Sequence, residues 1–388
     1  MTMIYLDNAA TSLKRPPEVA QAVARAMTEF GGVGRGVHPA SLAAGMAVYE
    51  ARQATSELLG APCATRVAFA PNATAALNTA ICGLLKPGQR ALTTAASHNS
   101  ILRPLFRARD EKNCTVDVAP IEIDGSLDFA AYESMLEHAP ALVAATHASN
   151  LTGDVYDVAR MASLAHDAGA LFVLDAAQTA GSLPVDMAQL GVDALCFTGH
   201  KGLLGPQGTG GLCVAEGVEI VPFLEGGSGV HTFDERHPLF MPDRLEAGTL
   251  NAHGVAGLAA GVAYLRKEGV TAIHERELAL AHQMEEAVSR MDGVRLLGGH
   301  GGIDRSGIVA LTVGNVDSAL IADTLAREYG IATRAGAHCA PLMHKALGTA
   351  EQGAVRFSFS PFTTADEVSA AAHALAVIAE NVREVHHG

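Results

Sequence analysis

Lys201 is the first candidate for chemistry, because it follows an apolar run and precedes a glycine-rich loop in residues 194–211, ALCFTGHKGLLGPQGTGG. Its near neighbours are small or apolar. A desolvated lysine has a lowered pKa and can form a Schiff base with an aldehyde. Thr198 and His200, just before it, are suited to hydrogen-bond a phosphate. The alternative is an ordinary solvated loop lysine. A Walker phosphate loop is excluded because no G-K-[ST] follows the glycines.

Asp175 ends a second apolar run, which reads LFVLDAAQ over residues 171–178. Ligands of open α/β sheets bind at the carboxyl edge of the strands, where this residue is expected. A carboxylate there can pair with a cationic ring nitrogen, and Gln178 can donate a hydrogen bond nearby. The alternative is that Asp175 caps the next helix.

Two more segments place polar side chains directly after predicted strands. Residues 70–85, APNATAALNTAICGLL, open a helix near residue 72. A helix N-terminus with a hydroxyl such as that of Thr74 is suited to bind phosphate, and an ordinary N-cap is the alternative. Residues 95–100 read AASHNS. The imidazole of His98 can stack on a planar cofactor, although a lone histidine is more often structural.

Cys339 lies in the sequence TRAGAHCAPLMH, with His338 before it and Arg334 and His344 nearby. This electropositive setting favours a thiolate. A zinc site that uses Cys339 and the two histidines is a weaker alternative, because the usual ligand spacing and a fourth ligand are missing. Arg356 follows in AVRFSFS. A guanidinium on a strand suits a substrate carboxylate, which it binds through two parallel hydrogen bonds.

The elements that must position these residues alternate between short apolar runs and helical patterns. The pattern predicts strands at residues 67–70, 91–95, 116–119, 142–146, 171–174, 194–197 and 211–214. It predicts helices at residues 17–30, 41–59, 72–85, 129–137 and 156–168. Short strands that are apolar throughout, separated by helices, indicate a mostly parallel sheet with helices on both faces.

A smaller α+β domain is predicted after about residue 250. Two long helical stretches, residues 255–269 and 271–291, come first. A strand at residues 308–313, a helix at 318–329, a strand at 355–359 and a helix at 365–382 follow.

Composition argues against a nucleic-acid-binding, a disulfide-rich or a membrane-spanning protein. The chain has 388 residues, is 49% hydrophobic, and carries a formal net charge of −14. Such an acidic chain argues against nucleic acid as the main partner. Six scattered cysteines, without a C-x-x-C pair, point to reduced thiols rather than a disulfide framework. We expect no membrane span and a cytoplasmic location.

The motifs, taken in order, resemble those of the class V branch of fold-type-I pyridoxal-phosphate (PLP) enzymes, and more closely the cysteine desulfurase/selenocysteine lyase family. The resemblance covers nearly the whole chain. It rests on YLDNAAT, GVHPAS, SHNS, SNLTG, DAAQ, TGHK, EAGTLN, RAGAHC and the closing VRFS-PFTT. It implies an α/β fold with a seven-stranded, mostly parallel sheet in a large PLP-binding domain, residues 16–255. Residues 1–15 and 256–388 would form the smaller α+β domain.

The resemblance also implies which residues would hold PLP. Lys201 would hold the cofactor covalently and move protons at the substrate Cα. Asp175 would pair with the pyridinium nitrogen, and Gln178 would hydrogen-bond the 3′-oxygen. His98 would stack on the ring and assist proton transfer. The phosphate would be bound by Thr74, Thr198, His200 and, from the other subunit of a homodimer, Thr249.

The same resemblance assigns the substrate and sulfur roles. Asn150 and Arg356 would orient the substrate carboxylate. Cys339 would attack the substrate sulfur, which leaves L-alanine and a Cys339 persulfide. No metal is implied. The predicted activity is that of a PLP-dependent cysteine desulfurase acting on L-cysteine.

Several alternatives remain open from the sequence. Ala337 replaces the first of two histidines that usually precede the cysteine in the group II branch, so the choice between cysteine and selenocysteine is undecided. The same motifs would also fit another class V PLP lyase or aminotransferase. A sulfur carrier without catalysis is disfavoured, because a carrier needs no Lys201, Asp175 and Gln178. The sulfur acceptor is either a partner protein or a small thiol.

Overall fold

The computed structural model describes residues 3–34, 36–299 and 304–387. Residues 1 and 2 of the predicted small domain therefore lie outside the described part of the chain. The helices are α1 (Pro17–Glu29), α2 (Pro39–Leu59), α3 (Ala73–Leu84), α4 (Asn99–Lys112), α5 (Phe129–Leu136), α6 (Val158–Asp167), α7 (Met187–Leu190), α8 (Ala252–Glu268), α9 (Val270–Val288), α10 (Ser318–Tyr329), α11 (Pro341–Ala346) and α12 (Ala365–His387).

The strands include both longer elements and two-residue pairs. They are β1 (Ile4–Tyr5), β2 (Val67–Ala70), β3 (Arg90–Thr94), β4 (Thr115–Ala119), β5 (Leu142–Thr146), β6 (Asp154–Val155), β7 (Leu171–Asp175), β8 (Ala194–Thr198), β9 (Gly210–Val214), β10 (Val294–Leu297), β11 (Asp304–Arg305), β12 (Ile308–Val313), β13 (Ile331–Ala332), β14 (Arg334–Gly336) and β15 (Ala354–Ser358).

Seven strands form one large sheet in the order β2-β9-β8-β7-β5-β3-β4. The neighbouring pairs from β8 to β4 are parallel, whereas β9 runs antiparallel to both β8 and β2. Every residue of β5, β8 and β9 is buried. Strands covered on both faces need apolar side chains throughout, which explains the continuous apolar runs. The predicted seven-stranded, mostly parallel sheet is confirmed.

A second sheet has the order β10-β12-β15-β14, and all its pairs are antiparallel. Helices α9, α10 and α12 pack on it around a separate apolar cluster that includes Met284, Leu311, Leu325 and Leu375. The N-terminal segment joins this part of the fold, since β1 pairs with β13. A smaller α+β unit follows the large sheet, as predicted. The domain limits at residues 15 and 255 stay a prediction.

Helix α4 was not predicted. It contains Pro104 in its interior and many charged residues, which hide its periodicity. Its buried side chains nevertheless include Ile101, Leu105 and Ala108, which recur at helical spacing. Strands β10 and β14 and helix α11 were also missed. Within the described residues, no helix combines the length and the apolar character that crossing a membrane requires.

Candidate active site

A cleft of about 90 Å³ lies at the carboxyl edge of the large sheet and is partly open to solvent. Most of its lining follows β3, β5, β7 and β8 or begins α3. Parallel strands end at a common edge, so residues distant in sequence meet there. The predicted site residues in this lining are Thr74, His98, Asn150, Asp175, Gln178, Thr198, His200 and Lys201.

Lys201 and Asp175 bring opposite charges into the cleft from neighbouring strands. Asp175 ends β7 and is only 4% exposed. Burial raises the pKa of its carboxyl, against the lowering effects of the Ala177 N–H, 2.9 Å from Oδ1, and of Lys201. Burial also lowers the pKa of Lys201 to about 8, although Asp175 opposes that shift. An amine with this pKa is partly neutral near physiological pH and is therefore nucleophilic.

The segment after β8 supplies hydrogen-bonding groups. Thr198 Oγ1 is buried and has no hydrogen-bond partner among the described residues. His200 Nδ1 lies 3.1 Å from Thr11 Oγ1. Burial, reinforced by the nearby lysine, lowers the pKa of His200 to about 4, so the ring is neutral at neutral pH. Gln178 donates a hydrogen bond from Nε2 to the Ala9 carbonyl at 3.2 Å.

The N-terminus of α3 forms one wall of the cleft. Asn72 caps the helix by accepting a hydrogen bond from the Ala75 N–H at 2.9 Å. A Cβ at position 210 would lie 2.9 Å from Asn72 Cα, so glycine there allows the helix start to approach the sheet. Thr74 Oγ1 lies 2.8 Å from Ser100 Oγ. Free N–H groups and this hydroxyl pair are suited to an anion.

His98 caps helix α4 with its ring. Its Nδ1 accepts a hydrogen bond from the Ser100 N–H at 3.0 Å. Burial and the positive charge of Lys201, with smaller contributions from nearby arginines, lower the pKa of His98 to about 4. The neutral ring accepts at Nδ1 and therefore carries its proton on Nε2.

Arg356 and Asn150 meet beside the cleft. Arg356 is only 1% exposed and donates from Nη1 to the Asn150 carbonyl at 2.8 Å and from Nη2 to Asp7 Oδ1 at 2.9 Å. Arg356 Nε and Asn150 Oδ1 are buried and have no partner among the described residues. One guanidinium donor and one amide acceptor therefore remain available to a bound molecule.

The Cys339 loop lies against both α4 and the residues after β5. The Asn99 N–H donates to the Cys339 carbonyl at 2.9 Å, and Asn150 Nδ2 donates to the His338 carbonyl at 2.7 Å. The thiol-bearing residue is exposed, as is Ala337. His338 and Cys339 have φ values of 50° and 56°, in the left-handed region that side chains disfavour. These contacts hold a strained turn next to the cleft.

The two histidines near Cys339 pack against each other and are not arranged as metal ligands. The rings of His338 and His344 stack with centroids 5.9 Å apart. Burial lowers the pKa of His338 to about 3. In the ranges that the structure describes, no three His, Cys, Asp or Glu side chains are placed to hold a metal ion.

Thr249 is the one predicted cofactor-binding residue that the fold does not bring to the cleft. It is exposed and lines a different groove, beside α2 and the segment around Val230. Sequence reasoning also missed Ser100 and Asp7. Both occur in motifs that had been noted, SHNS and YLDNAAT, but their partners Thr74 and Arg356 are distant in sequence.

Known proteins share this architecture. A sequence model of the family Aminotransferase class-V matches residues 4–371. A probable cysteine desulfurase of Methanothermobacter thermautotrophicus is 33% identical over 387 residues, covering 97% of this chain and 94% of the relative. The cysteine desulfurase CsdA of Escherichia coli is 33% identical over 96% of this chain and 93% of its own length.

Solved structures agree with these relatives. An apo structure of cysteine desulfurase from Thermococcus onnurineus NA1 superposes with a TM-score of 0.92 at 32% identity, covering 98% of this chain and 95% of the other. The E. coli CsdA structure, with an S-sulfonic acid, gives a TM-score of 0.85 at 30% identity over 98% and 95% of the two chains. The chain therefore belongs to the class V aminotransferase family and, within it, to the cysteine desulfurases.

Proposed function

We propose that the protein is a PLP-dependent cysteine desulfurase that removes sulfur from L-cysteine and releases L-alanine. Its full-length relatives named cysteine desulfurase support this activity. The observation that carries the proposal is the placement of Lys201 and buried Asp175 in one cleft, after adjacent strands, where burial lowers the pKa of Lys201 to about 8.

The residues of the cleft fit PLP. The hydroxyl of Thr198 is a buried donor without a partner among the described residues. It would bind the phosphate together with Thr74, His200 and the N–H groups that begin α3. Asp175 would hold the ring nitrogen, and Gln178 would reach the ring hydroxyl. When bound, PLP supplies an electron sink that stabilises negative charge at the substrate Cα.

Arg356 and Asn150 would orient the substrate. Arg356 Nε and Asn150 Oδ1 are buried without a hydrogen-bond partner among the described residues. The guanidinium would donate charge-assisted hydrogen bonds to the substrate carboxylate. Held in this way, the amino acid would direct its side-chain sulfur toward the exposed Cys339 loop.

Lys201 and His98 would handle protons. Lys201, once free as an amine, would take the proton from the substrate Cα and later return one. His98 would lie against the cofactor ring as a neutral imidazole, with its Nε2 proton available for donation.

Cys339 would receive the sulfur. Its thiolate would form a bond to the substrate sulfur while the bond between that sulfur and the substrate Cβ breaks. The electron pair of the broken bond stays with the carbon framework, which gains a proton and leaves as L-alanine. Cys339 then carries the persulfide. An exposed position suits transfer of that sulfur to an acceptor protein or a small thiol.

A homodimer would complete the site. Thr249 is exposed outside the cleft of its own chain, as expected of a residue that serves the phosphate of a second copy. The six cysteines, all within the described residues, are unpaired, which suits a reducing compartment such as the cytoplasm.

The test is alanine release from L-cysteine and L-selenocysteine, measured side by side with PLP-loaded protein. We expect release from L-cysteine and a visible absorbance band that Lys201→Ala removes. Preference for L-selenocysteine would assign the chain as a selenocysteine lyase instead. Protein that shows no PLP band and no alanine release would contradict the proposal.

A further inference from the structure

A second, smaller cavity is lined in part by Lys201 and is about as open to solvent as the active-site cleft, and the roles proposed above do not use it. It measures about 30 Å³, which is room for about two water molecules. Lys201 and Gln178 line both this cavity and the active-site cleft. Residues of β12, β15 and α9 also line this cavity, whereas those of α3 line only the cleft.

The lining of this cavity mixes polar and apolar groups and is rich in hydroxyl groups. Side chains that could hydrogen-bond water are contributed by Ser12, Ser182, Ser306, Ser358, Ser360 and Asn8. Ser12 Oγ donates to the carbonyl of Lys201 itself at 3.0 Å, which links the hydroxyl lining to the lysine backbone. A cavity of this size with several polar groups is suited to hold water.

Glu277, on α9, is the acidic side chain of this lining. It is only 4% exposed. Within the described residues it makes no hydrogen bond or ion pair that would balance a charge. A Cβ at position 307 would lie 2.9 Å from Glu277 Cβ and 3.4 Å from Oε2, so Gly307 leaves room for the carboxyl group.

A buried carboxylate without a counter-charge is costly, and the protonated form avoids that cost. Burial raises the pKa of Glu277 well above its usual range, while the charge of the preceding Arg276 lowers it less. The Arg276 guanidinium is turned to the Pro361 carbonyl, 3.2 Å away. Lys201 is the other titratable group of the lining.

We propose that Glu277 is a protonated carboxylic acid that exchanges its proton with Lys201 through water in this cavity. The proton leaves the Glu277 carboxyl oxygen, passes along the water and arrives at the Lys201 amine. Glu277 is then a carboxylate facing an ammonium group, and it regains a proton from solvent or from Lys201. Glu277 is a positioning residue in this scheme, because it acts through Lys201 and does not touch the substrate. The role rests on the proposed function of Lys201.

The first measurement uses protein without cofactor. The infrared difference between wild type and Glu277→Gln at neutral pH should contain the carbonyl stretch of a protonated carboxylic acid. The matched control is Glu275→Gln, an exposed carboxyl on the same helix, which should remove only a carboxylate band. An ionised Glu277, with or without a bound cation, would overturn the proposal.

The second measurement uses PLP-loaded enzyme and L-alanine in D₂O. Deuterium should enter the Cα position about tenfold more slowly in Glu277→Gln, a smaller effect than the roughly hundredfold or more expected of a direct proton donor. The shorter acid in Glu277→Asp should restore part of the rate, which a packing role would not predict. An unchanged exchange rate in folded Glu277→Gln would overturn the proposal. If the wild-type enzyme incorporated no deuterium at Cα, that result would instead count against the proposed function.

Discussion

Arg356 and Asp7 form an ion pair between the last strand of the small sheet and the N-terminal segment. Arg356 Nη2 lies 2.9 Å from Asp7 Oδ1, and the side chains are 2% and 21% exposed. Arg334 lies opposite Arg356 in the strand pairing. Because Asp7 partly neutralises the buried Arg356 guanidinium, the positive charge at this end of the cleft is reduced before any substrate carboxylate binds.

Arg356→Lys should therefore raise the KM for L-cysteine about tenfold, with a smaller change in kcat. Lysine keeps the charge but loses the planar fork, including the unpartnered Nε. Steady-state kinetics of alanine release measure both constants. Arg295→Lys, on strand β10 of the same sheet, is the control and should leave KM unchanged. An unaltered KM in Arg356→Lys would remove its proposed substrate role.

Glu246→Gln should lower the free energy of unfolding by about 3 kcal/mol, because it leaves the buried Arg52 guanidinium without a counter-charge. The wild-type pair is bidentate, with both distances 2.6 Å, and its side chains are only 7% and 6% exposed. Urea denaturation measures the change.

The control for this pair is Glu57→Gln, which breaks an ion pair with Arg266 whose side chains are 42% and 51% exposed. That pair is solvated, so its loss should cost at most about 1 kcal/mol. Equal losses in the two variants would show that burial does not set the contribution of the Arg52–Glu246 pair.

The rate at which apo protein captures PLP should rise with pH and level off above a midpoint of about 8, the pKa of Lys201. Only the neutral amine attacks an aldehyde, and its fraction grows as pH rises through that pKa. An ordinary lysine would keep gaining rate toward its usual pKa of 10.5. Stopped-flow absorbance of the bound cofactor gives the profile.

The same profile tests the influence of Asp175. Its charge raises the pKa of Lys201, so Asp175→Asn should move the midpoint to lower pH. A midpoint that stays in place in this variant, or a wild-type rate still rising near 10.5, would mean that burial and Asp175 do not set the lysine pKa.

Cys339→Ala should abolish alanine release from L-cysteine and spare part of the release from L-selenocysteine. Sulfur needs an acceptor, whereas a selenolate leaves with less help. Alanine formation is measured with each substrate at saturation. Cys63→Ala, which removes another exposed thiol, should behave as wild type. Wild-type turnover of L-cysteine by Cys339→Ala would contradict the role of Cys339.

Inactive Thr249→Val and Lys201→Ala proteins should regain activity when their subunits are mixed. In a mixed dimer, one site would combine Lys201 of one chain with Thr249 of the other, so random exchange restores about a quarter of all sites. Sedimentation confirms the dimer, and each variant mixed with itself is the control. No recovery despite proven subunit exchange, or a fully active monomer, would exclude composite sites.

The sequence by itself determined the large sheet and the cofactor end of the cleft. Its apolar runs are long enough for strands and too short for most helices, and both faces of the sheet must be apolar. Asp175 and Lys201 could be placed because parallel strands carry the residues that follow them to one edge. The family motifs supplied the proposed roles, which local patterns alone left open.

Only the tertiary structure decided which distant groups meet. The contact of Asp7 with Arg356 and the shared cavity of Glu277 and Lys201 join segments without a common sequence pattern. The EAGTLN motif predicts that Thr249 binds the cofactor, yet the fold of one chain leaves this residue outside the cleft. Periodicity reports which face of an element is buried, whereas pairing across a fold depends on how whole elements pack. That packing is set by contacts over the entire chain.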